Sequence, residues 1–309
     1  MTITRPADRV FVYGTMALAA LILVVTVAIL IGITNGASLS VRTFGAGFIT
    51  GTTWDPVQEV FGALPFIYGT LVTSLIALLL AGLIGIGSAI FLAELAPPWM
   101  RTPVSFMVEL LAAIPSIVYG IWGLFVFAPF LRANVVPGLK ATLGWTGLFQ
   151  GPFYGPSMLT ASLILTLMVL PIVAAVSRDV LRAVPESQRE AMLALGATRW
   201  ETIWRAVLPY ARAGIMGALI LGLGRAVGET MAVTIVIGNR SEIVTNLLKP
   251  GNTMASVIAN EFAEAATPLY QSALVEIALL LFVITLIINV FARLLVWQAG
   301  RGLQGIGRI

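Results

Sequence analysis

Among the 309 residues there is no histidine and no cysteine, and the only lysines are Lys140 and Lys249. Without imidazole or thiolate there is no histidine base, no cysteine nucleophile, no disulfide, no iron–sulfur cluster and no zinc site built from those ligands. Charge is scarce as well. Charged residues make up 10% of the chain, against about 25% in an average soluble domain. What fills the space is apolar: 59% of residues are hydrophobic and the mean hydropathy is +0.98. Several apolar runs exceed the ~20 residues that a helix needs to cross a bilayer, so a soluble multidomain protein is excluded. The net charge is +4, carried almost entirely by arginine. In a membrane chain this excess sets topology and docks partners rather than binding nucleic acid.

Six segments qualify as spans: residues 10–33, 65–93, 103–131, 158–177, 213–238 and 273–297. The first is too long for the ~7–15-residue core of a signal peptide and is expected to be a retained helix. With a cytoplasmic N-terminus, twelve basic residues fall on inner segments, namely Arg5, Arg9, Arg101, Arg178, Arg182, Arg189, Arg199, Arg205, Arg212, Arg293, Arg301 and Arg308. Five fall outside (Arg42, Arg132, Lys140, Arg240 and Lys249), and Arg225 lies within a span. The bias predicts that both termini are cytoplasmic. The outer segment 34–64 reads as a loop, and 132–156, punctuated by Pro and Gly, as loop with short turns. Within 253–266, Met254, Val257, Ile258 and Phe262 recur at helical spacing behind a capping Thr253. That helix lies at the membrane surface or turns its polar side to an external partner. Pro115 and Pro171 are expected to kink spans three and four. Glu109 is expected to snorkel inward or to pair with Arg101.

The one sizeable inner loop, residues 178–212, is highly organised. Pro185 and Glu186 suit a helix start, and Gly196 suits its end. Thr198-Arg-Trp-Glu201 is a capping-box pattern that opens a second helix, which Leu208-Pro209 is expected to stop. Met192, Leu193, Leu195, Trp200, Ile203 and Trp204 offer more apolar surface than a connector requires. Either the loop packs on its own bundle, or it is a helix–turn–helix knob for a second protein. Its spacing resembles the EAA loop of bacterial ABC-importer permeases, in which Glu-Ala-Ala, three residues, Gly, nine residues and Ile-x-Leu-Pro dock the ATPase subunit. Glu190, Ala191, Gly196, Leu208 and Pro209 stand in that register, while Met192 and Ala206 depart from it. The chain carries no P-loop: a Walker-type lysine needs a Gly before it and Ser or Thr after it, and neither Lys140 nor Lys249 has these neighbours.

Arg225 and Glu229 sit inside the fifth apolar segment. An arginine at mid-bilayer costs about 2.5–3.5 kcal/mol on insertion scales and normally faces a cavity or partner. At i,i+4 on one helix the two side chains share a face and can pair, and Gly222, Gly224 and Gly228 permit close approach. A guanidinium binds phosphate-like oxyanions through a planar fork. The carboxylate either accepts a hydrogen bond from a protonated anion, which hydrogen phosphate is and sulfate is not, or simply holds Arg225 in place.

The segments Leu64-Pro-Phe-Ile-Tyr-Gly-Thr-Leu-Val-Thr-Ser74, Ile114-Pro-Ser-Ile-Val-Tyr-Gly-Ile-Trp-Gly123 and Arg225-Ala-Val-Gly-Glu-Thr-Met231 resemble the PstC family, one of two permease families of the bacterial phosphate ABC importer. The sister PstA family shares parts of the second and third segments. The resemblance runs over nearly the whole chain. It implies an all-α polytopic membrane protein with the type I ABC-importer permease fold and a cytoplasmic coupling-helix loop, in the bacterial inner membrane. It also implies a non-enzymatic subunit that binds no cofactor, with ATP and Mg2+ held by a separate ATPase. The implied partners are a PstA-like permease, a PstB-like ATPase dimer and a PstS-like phosphate-binding protein, with inorganic phosphate as cargo. On this reading Arg225 and Glu229 serve translocation. Glu190, Ala191, Gly196, Thr198, Glu201, Leu208 and Pro209 serve ATPase coupling. Another oxyanion permease, and an anion-exchanging or proton-coupled secondary transporter, remain as alternatives.

Overall fold

The computed structural model describes residues 6–304, with side chains from 10 to 297. Arg5 and Arg308, and the side chains of Arg9 and Arg301, lie outside that description. Helix α1 (Pro6–Phe44) is followed by α2 (Gly47–Thr50) and a two-stranded antiparallel hairpin, β1 (Trp54–Asp55) and β2 (Val60–Phe61). Then come α3 (Leu64–Ile90), α4 (Pro98–Ala113) and a broken run of α5 (Ser116–Trp122), α6 (Ala128–Phe130) and α7 (Val136–Leu143). Helix α8 (Met158–Arg182) precedes the short α9 (Glu186–Ala194) and α10 (Arg199–Thr202). The last four are α11 (Leu208–Gly228), α12 (Met231–Ile237), α13 (Met254–Glu261) and α14 (Pro268–Gln304).

Six of these stretches are long and apolar enough to cross a membrane: Val10–Phe44, Leu64–Leu95, Ser116–Thr146, Met158–Arg182, Arg199–Gly228 and Pro268–Trp297. Their bounds differ from the sequence expectation: the fifth runs from Arg199 to Gly228 and not from 213 to 238, and three other differences stand out. Helix α1 runs on to Phe44 through the segment read as loop, because its small residues seat on α14. Ser272 Oγ donates to Gly36 O at 2.7 Å and accepts from Ser40 N–H at 3.0 Å. The outer segment 132–146 is helical rather than loop. And the third span is not one helix from 103 to 131: α4 ends at Ala113, Ile114 and Pro115 are extended, and a new helix starts at Ser116. Pro115 therefore breaks the helix instead of kinking it, whereas α8 runs through Pro171 unbroken.

Among the described residues four π-helical turns occur, at Phe91–Leu95, Gly123–Phe127, Leu131–Val135 and Ile203–Val207. Each ends two residues before a proline: Pro97, Pro129, Pro137 and Pro209. The residue just before each proline donates five residues back, for example Ala96 N–H to Phe91 O at 2.7 Å. A proline ring crowds the preceding turn and supplies no N–H, and a widened turn relieves that crowding while keeping the carbonyls bonded. This corrects one sequence expectation. Leu208-Pro209 does not stop the second loop helix, because the π turn at Ile203–Val207 carries the chain from α10 straight into α11.

Helix α8 is the most deeply buried span. Small residues let its neighbours approach it: a side chain on Gly222 would meet Val169 and Val173 at 2.8 and 3.0 Å, the small-residue packing that replaces hydrophobic drive inside a membrane. At one end Trp54, Phe61, Phe66, Met254 and Tyr270 form an aromatic-rich cap. Glu261 Oε2 ties it together, accepting from Trp54 Nε1 at 2.8 Å and from Tyr270 OH at 2.5 Å. Helix α13 belongs to this cap. Thr253 Oγ1 caps it by accepting from Ser256 N–H at 3.2 Å. Met254 to Val257 are buried, so it is packed inward rather than laid along a membrane surface.

In the same region a side chain on Gly69 would collide with the backbone carbonyl of Asn252, while one on Gly87 meets nothing. Gly69→Ala is expected to cost about 1–3 kcal/mol and to lower the melting temperature of the detergent-solubilised protein. Gly87→Ala is expected to leave it unchanged, and equal melting of the two variants would refute the packing assigned to Gly69.

Candidate functional site

The loop after α8 forms the helix–turn–helix that its residues foretell. Helix α9 closes through Gly196, whose φ of +82° suits a residue without a Cβ. Gly196 N–H bonds Leu193 O at 3.0 Å and Ala197 N–H bonds Met192 O at 3.1 Å, the paired bonds of a Schellman closure. The next residues form a full capping box. Thr198 Oγ1 accepts from Glu201 N–H at 3.2 Å, and Glu201 Oε2 accepts from Thr198 N–H at 2.9 Å. Helix α9 buries none of its residues, so Glu190 and Ala191 are exposed. Leu195 is 84% exposed and Trp200 57%, and Trp200 meets Trp204 edge-on at 5.7 Å. Ile203 alone of the apolar set turns inward, at 3% exposure. The knob thus presents an apolar face on a rigid turn.

What anchors the knob lay beyond reach of sequence spacing. Arg189 grips Glu94, ninety-five residues away, with Nη2 to Oε1 at 2.8 Å and Nε to Oε2 at 3.3 Å. It also donates to Val184 O and Leu181 O at 2.6 and 2.9 Å. Both side chains are largely buried, and hydrogen bonding to Glu94 raises the Arg189 pKa above its ordinary value against the effect of burial. A second tie joins Arg178 Nη2 to Glu109 Oε1 at 3.1 Å. Glu109 thus pairs with Arg178 and not with Arg101, whose Nε donates instead to Ala96 O at 2.8 Å.

The intramembrane pair is arranged differently from the i,i+4 contact that a continuous helix would give. Helix α11 ends at Gly228, and Glu229 is extended at φ −70°, ψ 124°. Among the described residues no ion pair joins Arg225 to Glu229. Side chains four apart share a face only while the helix continues, and here it breaks between them. Glu229 Oε1 instead accepts from Ala232 N–H at 3.3 Å, holding the start of α12, where an acid is favoured by the helix dipole. Arg225 is left exposed in the last turn of α11, where the dipole favours a cation. Ala226 beside it packs with Val169 and Val173, midway along α8. The break in α4–α5 lies close by: a side chain on Gly120 of α5 would meet Ala232 of α12 at 3.1 Å, and Tyr119 bridges that break by donating to Leu111 O at 2.8 Å. Two interrupted helices therefore meet near Arg225, a guanidinium with no ion pair among the described residues.

These features define a polytopic membrane protein with an exposed helix–turn–helix knob, and the comparisons bear on its class directly. The family model for "binding-protein-dependent transport system inner membrane component" matches residues 81–297. The fold is shared with a bacterial alginate ABC transporter solved with its periplasmic protein, at TM-score 0.62, 19% identity and coverage of 92% of this chain and 93% of that one. It is shared as well with the MetNI methionine ABC transporter, at TM-score 0.57, 17% identity and coverage of 80% and 99%. Among curated proteins, the phosphate transport system permease protein PstC of Mesorhizobium japonicum is 49% identical, over 93% of this chain and 89% of its own. The PstC of Haemophilus influenzae is 46% identical over 94% and 93%. The chain belongs to the binding-protein-dependent inner-membrane transport components and, within them, to the PstC family.

Because the Glu94–Arg189 pair is buried and unites two distant elements, Glu94→Ala is expected to destabilise the protein by about 3–5 kcal/mol. Exchange of both partners for apolar residues is expected to recover most of that loss. Thermal unfolding in detergent measures both, and a double variant no better than the single one would show that the pair does not act as a unit.

Proposed function

We propose that this chain is the PstC-type membrane subunit of an ATP-driven importer that moves inorganic phosphate inward by alternating access. Phosphate transport is what the 49%- and 46%-identical relatives are named for. The observation that carries the mechanism is the unpaired Arg225 at the junction of two broken helices. Irregular backbone is tolerated at membrane depth where it is buried or lines a cavity, and interrupted helices are where transporters place their binding sites. Arg225 binds the anion through its guanidinium fork. Glu229 sets the break through Oε1, and its charge tunes which protonation state of the anion is accepted. The residues Glu190, Ala191, Gly196, Thr198, Glu201, Leu208 and Pro209 transmit force from the ATPase. The π turn makes that transmission direct, since the knob and the helix bearing Arg225 are one continuous rod from Arg199 to Gly228.

In the working assembly this chain pairs with a PstA-like permease. It rests on two PstB-like ATPase subunits that hold ATP and Mg2+, and it receives phosphate from a PstS-like protein. Both termini and the knob face the cytoplasm, as the arginine distribution favours.

The test is phosphate uptake by proteoliposomes that carry the purified complex. Uptake is expected to require ATP and to fall at least about tenfold in Arg225→Gln, the loss of one charge-assisted contact, while the complex still assembles. Uptake indifferent to ATP would point to a secondary transporter, and undiminished uptake by the variant would remove Arg225 from the path. Glu229→Gln keeps an oxygen for Ala232 N–H but removes the charge, so it is expected to assemble and to lose preference for phosphate over sulfate. Retained preference would confine Glu229 to holding the break.

A further inference from the structure

On the knob side of the bundle, a hollow of about 500 Å3 opens between the α3–α4 turn and helices α9 and α10. Its charged lining is Glu94, Arg101, Arg182, Glu186, Arg189 and Arg199. Both carboxylates are taken by one guanidinium: Arg189 binds Glu94 at 2.8 Å and Glu186 at 3.3 Å. The other three arginines have no carboxylate partner among the described residues. Arg101 is steadied by its Nε bond to Ala96 O, which leaves both terminal nitrogens free. Arg182 closes α8 and Arg199 opens α10, and both are exposed to the hollow.

Three cations from three separate elements thus converge on one space whose two carboxylates are both shared with a fourth arginine, so the lining of four arginines and two glutamates keeps a net positive charge that draws an anion. The matching chemistry is a phosphate-type oxyanion, whose several oxygens suit several guanidinium forks. This position is separate from the intramembrane arginine: Arg199 and Arg225 lie on one continuous rod, about 39 Å apart at 1.5 Å per residue.

We propose that this hollow is a second oxyanion site, which clamps the α3–α4 turn, the end of α8 and the start of α10 around one phosphate group. Occupied, it braces the knob against the bundle, so the anion sets how firmly ATPase movement is passed to the spans. The same chemistry is available from the headgroup of an acidic phospholipid and from free phosphate. Trp99, 75% exposed beside Arg101, is the kind of residue that sits at a headgroup layer, and basic pockets at the inner face of membrane proteins hold such headgroups. The lipid source rests on the inward orientation of the knob proposed above; the anion site itself does not.

The experiment uses the whole complex carrying Arg225→Gln, so that the intramembrane arginine contributes nothing. In phosphatidylcholine nanodiscs, inorganic phosphate binding is measured by equilibrium dialysis. In nanodiscs with added phosphatidylglycerol, retained lipid is measured by native mass spectrometry. One of the two ligands is expected to bind, about tenfold more weakly in Arg182→Gln and in Arg199→Gln, as befits loss of one charge-assisted contact. Arg→Lys at the same positions is expected to restore part of the affinity. Phosphate binding with this sensitivity identifies free phosphate as the source, and lipid retention with this sensitivity identifies the headgroup. Binding of neither ligand, or binding that ignores both substitutions, overturns the site. In the wild-type complex, the bound ligand is also expected to slow hydrogen exchange across 182–203. Exchange unchanged by either ligand would overturn the proposal even if the variants failed to assemble. None of these readings depends on transport, so failure here and failure of the phosphate-import reading are separately visible.

Discussion

Inside an apolar layer every backbone N–H and C=O must be satisfied by the protein itself, and this constraint organises the molecule. Ahead of Pro97, Pro129, Pro137 and Pro209, the chain widens into a π turn and keeps its carbonyls bonded, as at Phe91–Leu95 and Ile203–Val207. Where the helix stops outright, a side chain takes over. Glu229 receives Ala232 N–H after the break at Gly228, and Tyr119 OH reaches Leu111 O across the break at Pro115. These two repairs sit close together, level with the middle of α8. They leave Arg225 without an ion pair among the described residues, and it is there that the anion is proposed to bind.

The second organising interaction is the grip of Arg189 on Glu94. A knob that passes force must neither bend nor slide. Its rigidity comes from the Schellman closure at Gly196 and the capping box of Thr198 and Glu201. Its placement comes from the buried ion pair to the α3–α4 turn. From Arg199 onward the π turn removes any joint between knob and span. On the coupling role proposed for the knob, motion imposed on the exposed tryptophans would arrive at Gly228, the end of the rod, close to Arg225. The three arginines around the hollow beside Arg189 place a further charge-dependent contact at the base of this lever.

Local chemistry was legible in the residues wherever partners lie within a few positions. The capping box, the Gly196 turn and the Thr253 cap all appear where their spacing puts them, because each is closed by atoms three to five residues apart. The proline readings failed in both directions for a shared reason. Whether Pro115 breaks a helix and Pro209 does not depends on what the neighbouring turn can do with the displaced carbonyls, which is set by packing rather than by proline. Likewise, Glu109 finds Arg178 instead of Arg101, since the choice among arginines was made by how α4 lies on α8.

By itself, then, the sequence determined the medium, the number of spans, the knob and its caps, and the family, because hydropathy, short-range hydrogen bonds and motif spacing are properties of contiguous residues. The tertiary structure alone decided that Arg225 and Glu229 part company, that α1 and the 132–146 segment remain helical past the apolar runs, and that Glu94 holds Arg189. Each of these turns on a contact between residues far apart in the chain or on a break in a helix. Such outcomes follow from how whole helices pack, and no local pattern carries them.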